Sequence, residues 1–166
     1  MAEASATRQR GSILSRAATW ATAGGAALPP RVVAAMLLLT LRGTPTIYQG
    51  EEIGQTNTVF TGIDSYRDLE SINHFHERVR AGDDPAAVLA GIAPVSRDNA
   101  RTPVHWDSSE KAGFTTGEPW IALAPDHGTV HAAAQAGVPG SVFEHYRQLI
   151  ALRHDDDALA LGTFRL

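Results

Sequence analysis

The densest group of chemically capable side chains in this 166-residue sequence lies at residues 96–107, SRDNARTPVHWD. It combines two guanidinium groups, two carboxylates, an amide and an indole, without helical or strand periodicity. Planar polar groups can make paired hydrogen bonds to vicinal hydroxyls, while an aromatic face covers the C–H side of a sugar ring. The composition therefore fits sugar recognition, and it fits equally well an Arg–Asp network that holds a long loop in place.

A second group, Tyr48-Gln-Gly-Glu51-Glu52, directly follows a short apolar stretch that reads as a strand. Ligand sites of α/β folds lie at the carboxyl ends of strands. Two adjacent carboxylates could perform acid–base chemistry there. Neighbours in a loop usually point apart, however, and the alternative is that one caps a backbone turn while the other meets solvent.

A third group begins at Tyr66, which stands four residues before Glu70. This spacing places the two side chains on one face of a helix, where a solvated ion-pair face is the default explanation. His74 and His76 would diverge on the same helix, and no third ligand follows at suitable spacing. We therefore predict no metal site.

The elements that must position these groups follow from periodicity and from proline and glycine. We predict a buried helix over 31–42 that stops at Gly43, followed by a covered strand over 44–48. A helix over 66–80, with Leu69, Ile72, Phe75 and Val79 inward, and a short helix over 85–92 come next. A long irregular stretch over 94–140 leads to a helix over 141–153, capped by Ser141, and to a loose β element over 158–166. Helix, tight turn, buried strand and loop together indicate an α/β fold. A single strand cannot satisfy its own backbone groups, so we expect a piece of something larger.

The net charge, the cysteine content and the length of the most apolar run argue against several classes of function. A net charge of -4 argues against a nucleic-acid-binding face, and the absence of cysteine excludes disulfides and thiolate zinc sites. The most apolar run, residues 32–41, is half as long as the ~20 residues that a membrane-spanning helix needs. We expect no nucleic-acid partner, no membrane insertion and a cytoplasmic location.

Several segments, in order, resemble the oligo-1,6-glucosidase-like α-glucosidases of the α-amylase clan of glycoside hydrolases. The segments are RGTPTIYQGEEIG (42–54), YRDLESIN (66–73), SRDNARTPVHWD (96–107), AGFTTGEPWI (112–121) and SVFEHYRQLIALR (141–153). The similarity covers about residues 29–166. Val104, His105 and His131 depart from the residues usual in the family, which bears on fine substrate preference.

The resemblance implies the C-terminal part of a (β/α)8 TIM barrel, with residues 31–42 as the seventh barrel helix and 44–48 as the eighth strand. It divides the chain into a flexible lead-in (1–28), the C-terminal part of the catalytic barrel (29–155) and the start of a β-rich C-terminal domain (156–166).

Residue roles follow by the same analogy. Glu70 would face the leaving-group sugar, Arg97 would hydrogen-bond a sugar near the scissile bond, and Asp98 and Arg101 would brace that loop. Tyr48, Glu51 and Glu52 would form the barrel mouth.

Members of the family hydrolyse with retention, using a carboxylate nucleophile and a carboxylic acid. The motifs that carry these groups, after strands four, five and seven, do not occur in residues 1–166. We therefore assign no catalytic residue and no cofactor, and we predict that the chain is inactive alone. Its expected partners are an α-linked, α-1,6 glucoside or oligosaccharide and the missing N-terminal part of the barrel.

Other interpretations stay open at this point. Within the family, trehalose-6-phosphate hydrolases, dextran glucosidases and sucrose isomerases share much of the pattern at 96–107. Outside enzymology, the chain would be a truncated remnant or a weak sugar-binding module.

Overall fold

The computed structural model describes residues 29–163, and the predicted lead-in over 1–28 lies outside these residues. Six α-helices and three 3₁₀ turns occur in the described part, which contains no β-strand. The helices are α1 (Pro30–Thr40), α2 (Leu69–Arg80), α3 (Pro85–Ile92), α4 (Ala132–Gln135), α5 (Val142–Asp155) and α6 (Asp157–Leu161). The turns are Glu51–Ile53, Ile63–Ser65 and Arg97–Arg101.

The first hydrophobic cluster joins α1 to α5. Its buried members are Ala35, Leu39, Tyr146 and Leu149. Pro30 occupies the first helical position of α1, where a missing N–H costs nothing. The hydroxyl of Ser141 accepts a hydrogen bond from the Glu144 N–H at 3.2 Å, so the predicted cap of α5 is confirmed.

Arg153, on α5, determines how α1 ends. The helix stops at Thr40, and the prediction that it runs to a cap at Gly43 is wrong. The Arg153 guanidinium donates to the carbonyl oxygens of Leu39 at 2.9 Å and Leu41 at 2.8 Å, and also to that of Gly43. A cation at a helix C-terminus satisfies the last carbonyls and suits the helix dipole, so α1 needs no glycine cap.

The predicted strand over 44–48 does not form: this segment has no regular secondary structure and pairs with no strand in the described residues. A strand requires a neighbouring chain for its backbone hydrogen bonds. Tyr48 is the member of this segment whose backbone is bonded: its carbonyl oxygen accepts from the Glu51 N–H at 3.1 Å, and its N–H donates to a Glu51 carboxylate oxygen. The remaining residues present an open edge.

The second hydrophobic cluster joins α2 to α3 around Tyr66, Phe75 and Ile92. Phe60 stacks on Tyr66 with ring centroids 4.2 Å apart. Tyr66 precedes α2 rather than lying on it, because Asp68 caps the helix, so Tyr66 and Glu70 do not share a helical face. Leu69, predicted to point inward, is 71% exposed for the same reason: it is the first residue of the helix.

The chain from 94 to 140 is irregular as predicted, apart from the turn at Arg97–Arg101 and the short α4. The expected β element over 158–166 is not seen in its described part, where α6 forms instead. Asp156 caps α6 by accepting from the Ala158 N–H at 3.0 Å, and this local bond favours a helical turn. The domain division stays a prediction. Across residues 29–163, no helix has the length and apolar character that crossing a membrane requires.

Candidate functional site

Asp68 is the hub of a polar network that joins the start of α2 to the turn at Arg97–Arg101. As the N-cap of α2, it accepts from the Ser71 N–H at 3.3 Å and from the Ser71 hydroxyl at 2.8 Å. Its other oxygen accepts from Arg97 through Nε at 2.9 Å and Nη2 at 2.7 Å. One carboxylate therefore fixes both a helix terminus and a guanidinium group.

The pKa of Asp68 reflects this arrangement. Burial alone would raise the pKa of the carboxyl, but the hydrogen bonds from Ser71 and Arg97 outweigh it, and the pKa lies below its ordinary value. The same bond and the charge of Asp68 raise the pKa of Arg97. Asp68 is thus held as an anion and Arg97 as a cation.

Asp98 closes the network from the opposite side. Its side chain is fully buried, and one oxygen accepts from the backbone N–H groups of Arg67 at 2.6 Å and Asp68 at 2.8 Å. The other oxygen pairs with Arg101 at 3.1 Å. Sequence analysis predicted that Asp98 and Arg101 brace this loop, and the geometry brings them together.

Arg97 and Glu70 meet on the outer side of the hub. Nη2 of Arg97 lies 3.1 Å from a carboxylate oxygen of Glu70, with the two side chains 58% and 79% exposed. The structure thus unites two residues that are 27 positions apart and that both carried a substrate-binding prediction. The Nη1 amino group of Arg97 has no hydrogen-bond partner among the described residues, which leaves donors for a ligand.

A cavity of about 360 Å³ opens where this pair lies. Asp68, Glu70 and Arg97 supply its charged lining, and Ile92 and Val95 supply an apolar part. Small-ligand sites combine apolar lining with a few placed polar groups in this way. The arrangement can bind hydroxyl groups through charged, pre-positioned donors and acceptors.

Tyr48, Glu51 and Glu52 lie apart from the Arg97–Glu70 pair. Glu51 accepts from the Tyr48 N–H at 3.2 Å, which is the turn-capping alternative considered from sequence. Glu52 has a buried carboxylate oxygen with no hydrogen-bond partner in the described residues. Burial raises the pKa of Tyr146, and the negative charges of Glu51 and then Glu52 raise it further.

Tyr48 nevertheless shares a second, more open cavity with Arg101. The two loops are held together by Gln55, a residue that sequence analysis missed. Its amide nitrogen donates to the Thr102 hydroxyl at 3.0 Å and to the Pro103 carbonyl at 2.9 Å. The half-buried side chain of Arg101 thus pairs with Asp98 and lines the same cavity as Tyr48 of the predicted barrel-mouth segment.

His105 anchors the far end of the same loop. Its ring is fully buried, and Nδ1 lies 2.9 Å from the Val130 carbonyl oxygen. Burial lowers the pKa of His105, against the opposing effects of that hydrogen bond and of the Asp126 charge. Neither it nor its neighbours form a group of three or more residues able to hold a metal ion, within the part of the chain that the structure describes.

Three of these residues, Asp68, Ser71 and Gln55, were missed as contributors to the site. The pattern Asp68-Leu-Glu-Ser71 before an apolar helix is a readable N-cap signal for the first two. No local signal marks Gln55, because its partners lie 47 and 48 residues away along the chain.

Comparison with known proteins places this loop network in a family. Residues 15–162 match the family model described as "Alpha amylase, catalytic domain". The oligo-1,6-glucosidase of Parageobacillus thermoglucosidasius is 48% identical over 141 residues, which cover 82% of this chain and 25% of the relative. The trehalose-6-phosphate hydrolase of Escherichia coli K12 is 46% identical over 138 residues, covering 83% and 25%.

Similarity to solved structures supports the same family. The crystal structure of the trehalulose synthase MutB from Pseudomonas mesoacidophila MX-45 superposes with a TM-score of 0.78 at 43% identity, over 81% of this chain and 24% of that one. The chain therefore belongs to the α-amylase catalytic-domain family of glycosidases, as its sequence motifs indicated. It spans about a quarter of the length of the curated relatives it matches.

Proposed function

We propose that this chain supplies the substrate-binding loops of a retaining α-glucosidase that hydrolyses short α-1,6-linked gluco-oligosaccharides. The observation that carries the proposal is the exposed Arg97–Glu70 pair, mounted on the buried Asp68 hub and facing a cavity. Support for the linkage comes from the relative of 48% identity named oligo-1,6-glucosidase.

Sugar binding needs donors and acceptors that do not reorganise when the ligand arrives. Arg97 meets this requirement because Asp68 holds its Nε and Nη2 from one side. The guanidinium then offers donors, and Glu70 offers acceptors, to adjacent hydroxyls of one sugar ring. A charge-assisted hydrogen bond of this kind contributes more than a neutral one.

The catalytic pair is proposed to come from residues other than those at this site. Retaining hydrolysis needs a nucleophile and a proton-donating carboxylic acid about 5 Å apart. Both carboxylates lining the cavity, Asp68 and Glu70, make ion pairs with Arg97. The lowered pKa of Asp68 is the opposite of what a general acid requires.

The open edge at 44–48 supports the same proposal. A TIM barrel pairs each strand with two neighbours, and the 44–48 segment has no strand partner in residues 29–163. The apolar side chains of Val33 and Leu37, which are 51% and 60% exposed, form a bare face on α1. We propose that the missing part of the barrel covers both, and that 156–166 leads into a β-rich domain. A cytoplasmic location stays a prediction.

A second candidate is hydrolysis of trehalose 6-phosphate, because a relative of that name is almost as similar, at 46% identity. Comparing isomaltose with trehalose 6-phosphate as substrates of the complete gene product separates the two. We expect the higher kcat/KM for isomaltose. A clear preference for the phosphorylated sugar would overturn the linkage assignment.

The binding role is tested by Arg97→Ala in the complete gene product, titrated calorimetrically with thio-linked isomaltose, a disaccharide that resists hydrolysis. Loss of one or two charge-assisted hydrogen bonds predicts an approximately tenfold weaker Kd, about 1.4 kcal/mol. Arg80→Ala is the matched control, since Arg80 is an exposed arginine at the far end of α2. Equal Kd values for wild type and Arg97→Ala would overturn the role of Arg97.

The origin of the catalytic pair is tested by the intact mass of the gene product in its source cells. A whole barrel of at least ~200 residues predicts a species heavier than the 17.7 kDa of this chain. A 17.7 kDa species alone would favour the remnant or sugar-binding-module interpretation.

A further inference from the structure

The cavity at the Arg97–Glu70 pair continues into a groove between α2 and α3. The groove is a second cavity of about 450 Å³, and the two cavities share His74, Ile92 and Val95 as lining residues. Along α2 the continuous depression extends from Glu70 to Arg78. Eight residues of helix rise about 12 Å, which is longer than one sugar ring.

The two ends of the groove offer polar groups suited to hydroxyls. At the far end Nε of Arg78 lies 2.5 Å from a carboxylate oxygen of Asp83, and both side chains are partly exposed. The imidazole of His74 stands between this ion pair and the Arg97–Glu70 pair. Each of these groups retains unused donors or acceptors.

The middle of the groove is apolar. Val95 is 77% exposed there, and Ile92 forms part of the wall. An apolar floor between polar ends matches a saccharide, whose ring presents C–H groups on one face and hydroxyls at its rim. The walls are fixed, because α2 and α3 share a hydrophobic cluster and Asp84 caps α3 at 2.9 Å from the Ala87 N–H.

From this continuity we propose that the α2–α3 groove binds the additional glucosyl units of a gluco-oligosaccharide whose first units occupy the Arg97–Glu70 cavity. The inference rests on the proposed function and extends it to chain length. Affinity then increases with the number of α-1,6-linked units. Arg78, Asp83 and His74 are the specificity-determining contacts for the distal units.

Gly91 provides a direct way to block the groove. It lines the groove from α3, and a side chain built on it meets no atom within 4 Å, so a large residue projects into open space. Gly91→Trp fills the groove, and Gly91→Ala is the matched control that keeps it open. Both replacements remove a helix-interior glycine, which is favourable or neutral for α3.

The test measures Kd for thio-linked isomaltose and thio-linked isomaltotetraose by calorimetry on the complete gene product. For wild type and Gly91→Ala we expect the tetrasaccharide to bind about tenfold more tightly, the effect of one or two net hydrogen bonds. For Gly91→Trp we expect that ratio to fall to about one, with the disaccharide Kd unchanged.

Equal affinity of wild type for both sugars would overturn the groove proposal, as would a ratio that survives Gly91→Trp. Binding of the disaccharide that depends on Arg97 would still uphold the proposed function, so the two failures are distinguishable. Should Gly91→Trp lose its circular-dichroism signature, Arg78→Ala against Arg80→Ala decides instead. A ratio unaffected by Arg78→Ala overturns the proposal.

Discussion

Two regions of the chain differ in how their polar groups are hydrogen-bonded. They are the loop network around Asp68 and Asp98 and the segment at 44–48. In the network, the carboxylates of both aspartates accept hydrogen bonds that come from the chain itself. In the segment, Tyr48 is the residue whose backbone is hydrogen-bonded within the described part of the chain. Buried polar groups are costly when left unpaired.

This difference shows which parts of the structure are held in place by contacts within the described residues. The Arg97–Glu70 pair is positioned by bonds that span 29 residues or fewer, all inside the described region. The 44–48 segment has no strand partner in the described residues, and the apolar side chains of Val33 and Leu37 on α1 are exposed. The described residues therefore hold the Arg97–Glu70 pair in place but do not hold the 44–48 segment in a sheet.

The largest expected effect is that of Asp98→Ala. It leaves the N–H groups of Arg67 and Asp68 and the cation of Arg101 without their buried acceptor. Breaking a buried hydrogen-bonded ion pair costs about 3 kcal/mol or more of unfolding free energy. Urea unfolding of the chain measures it.

Asp64→Ala is the control for that experiment, since Asp64 is an exposed carboxylate just before the network. We expect a change below ~0.5 kcal/mol for it. A loss for Asp98→Ala no greater than that for Asp64→Ala would show that the network is not the fixed region of the molecule.

Asp68→Asn is expected to have a smaller effect on the free energy of unfolding and to change how that free energy depends on pH. Because the folded pKa of Asp68 lies below its unfolded value, its stabilisation is complete above the ordinary carboxyl pKa of about 4 and is lost as pH falls through the folded value. The variant should lose on the order of 1 kcal/mol at neutral pH and show a shallower acid dependence. Urea unfolding at a series of pH values between neutrality and strong acid tests this, and parallel pH profiles would contradict it.

His105→Gln tests the loop next to the network, where the His105 N–H donates to the amide oxygen of Gln55. The lowered pKa of His105 means that the unfolded chain binds the proton first, so wild-type stability declines as pH falls below the ordinary histidine pKa of about 6.5. Glutamine can still donate to the Val130 carbonyl but takes up no proton, so the stability of the variant should decline less than that of wild type as pH falls. Thermal melts from pH 7.5 to 5 measure this, with exposed His76→Gln as control. An unchanged pH slope would contradict a lowered pKa of His105 in the folded chain.

The smallest effect is expected at Glu51. Glu51→Ala removes one partly exposed hydrogen bond to the Tyr48 N–H, worth about 0.5 kcal/mol. Differential scanning calorimetry resolves the corresponding small shift in Tm. A loss comparable to that of Asp98→Ala would mean that the barrel-mouth segment is as firmly fixed as the network, and the comparison would fail.

The sequence allowed the helices to be predicted well because their signals are local. Pro30 and Ser141 mark helix starts, and the apolar periodicity of α2 matches the cluster that it shares with α3, except at Leu69. Two errors were local, because the caps at Asp68 and Asp156 set the start of α2 and form α6. The other two involve partners that are distant or absent from the described residues. Arg153 ends α1 before Gly43 from 110 residues away, and the 44–48 strand lacks the neighbour that would complete it.

The candidate site shows the same division. The resemblance to known glycosidases gave Glu70 and Arg97 separate substrate-binding roles, but their contact was found only in the structure. Periodicity alone put Glu70 with Tyr66 on a helix face that does not exist. The role of Asp68 was readable as a helix cap but not as a hub, because its Arg97 partner lies 29 residues further on. The roles of Tyr48, Glu51 and Glu52 in supporting the site loops at the barrel mouth stay predictions, as do the substrate-binding roles of Glu70 and Arg97.

The central claim is that these 166 residues carry sugar-binding loops without the catalytic carboxylates. The most direct measurement is isomaltose hydrolysis by the purified 166-residue chain, in preparations that unfold cooperatively in urea. We predict a rate equal to that of the buffer blank. Turnover that persists through purification and disappears in Glu70→Gln would contradict the claim and make Glu70 a catalytic group.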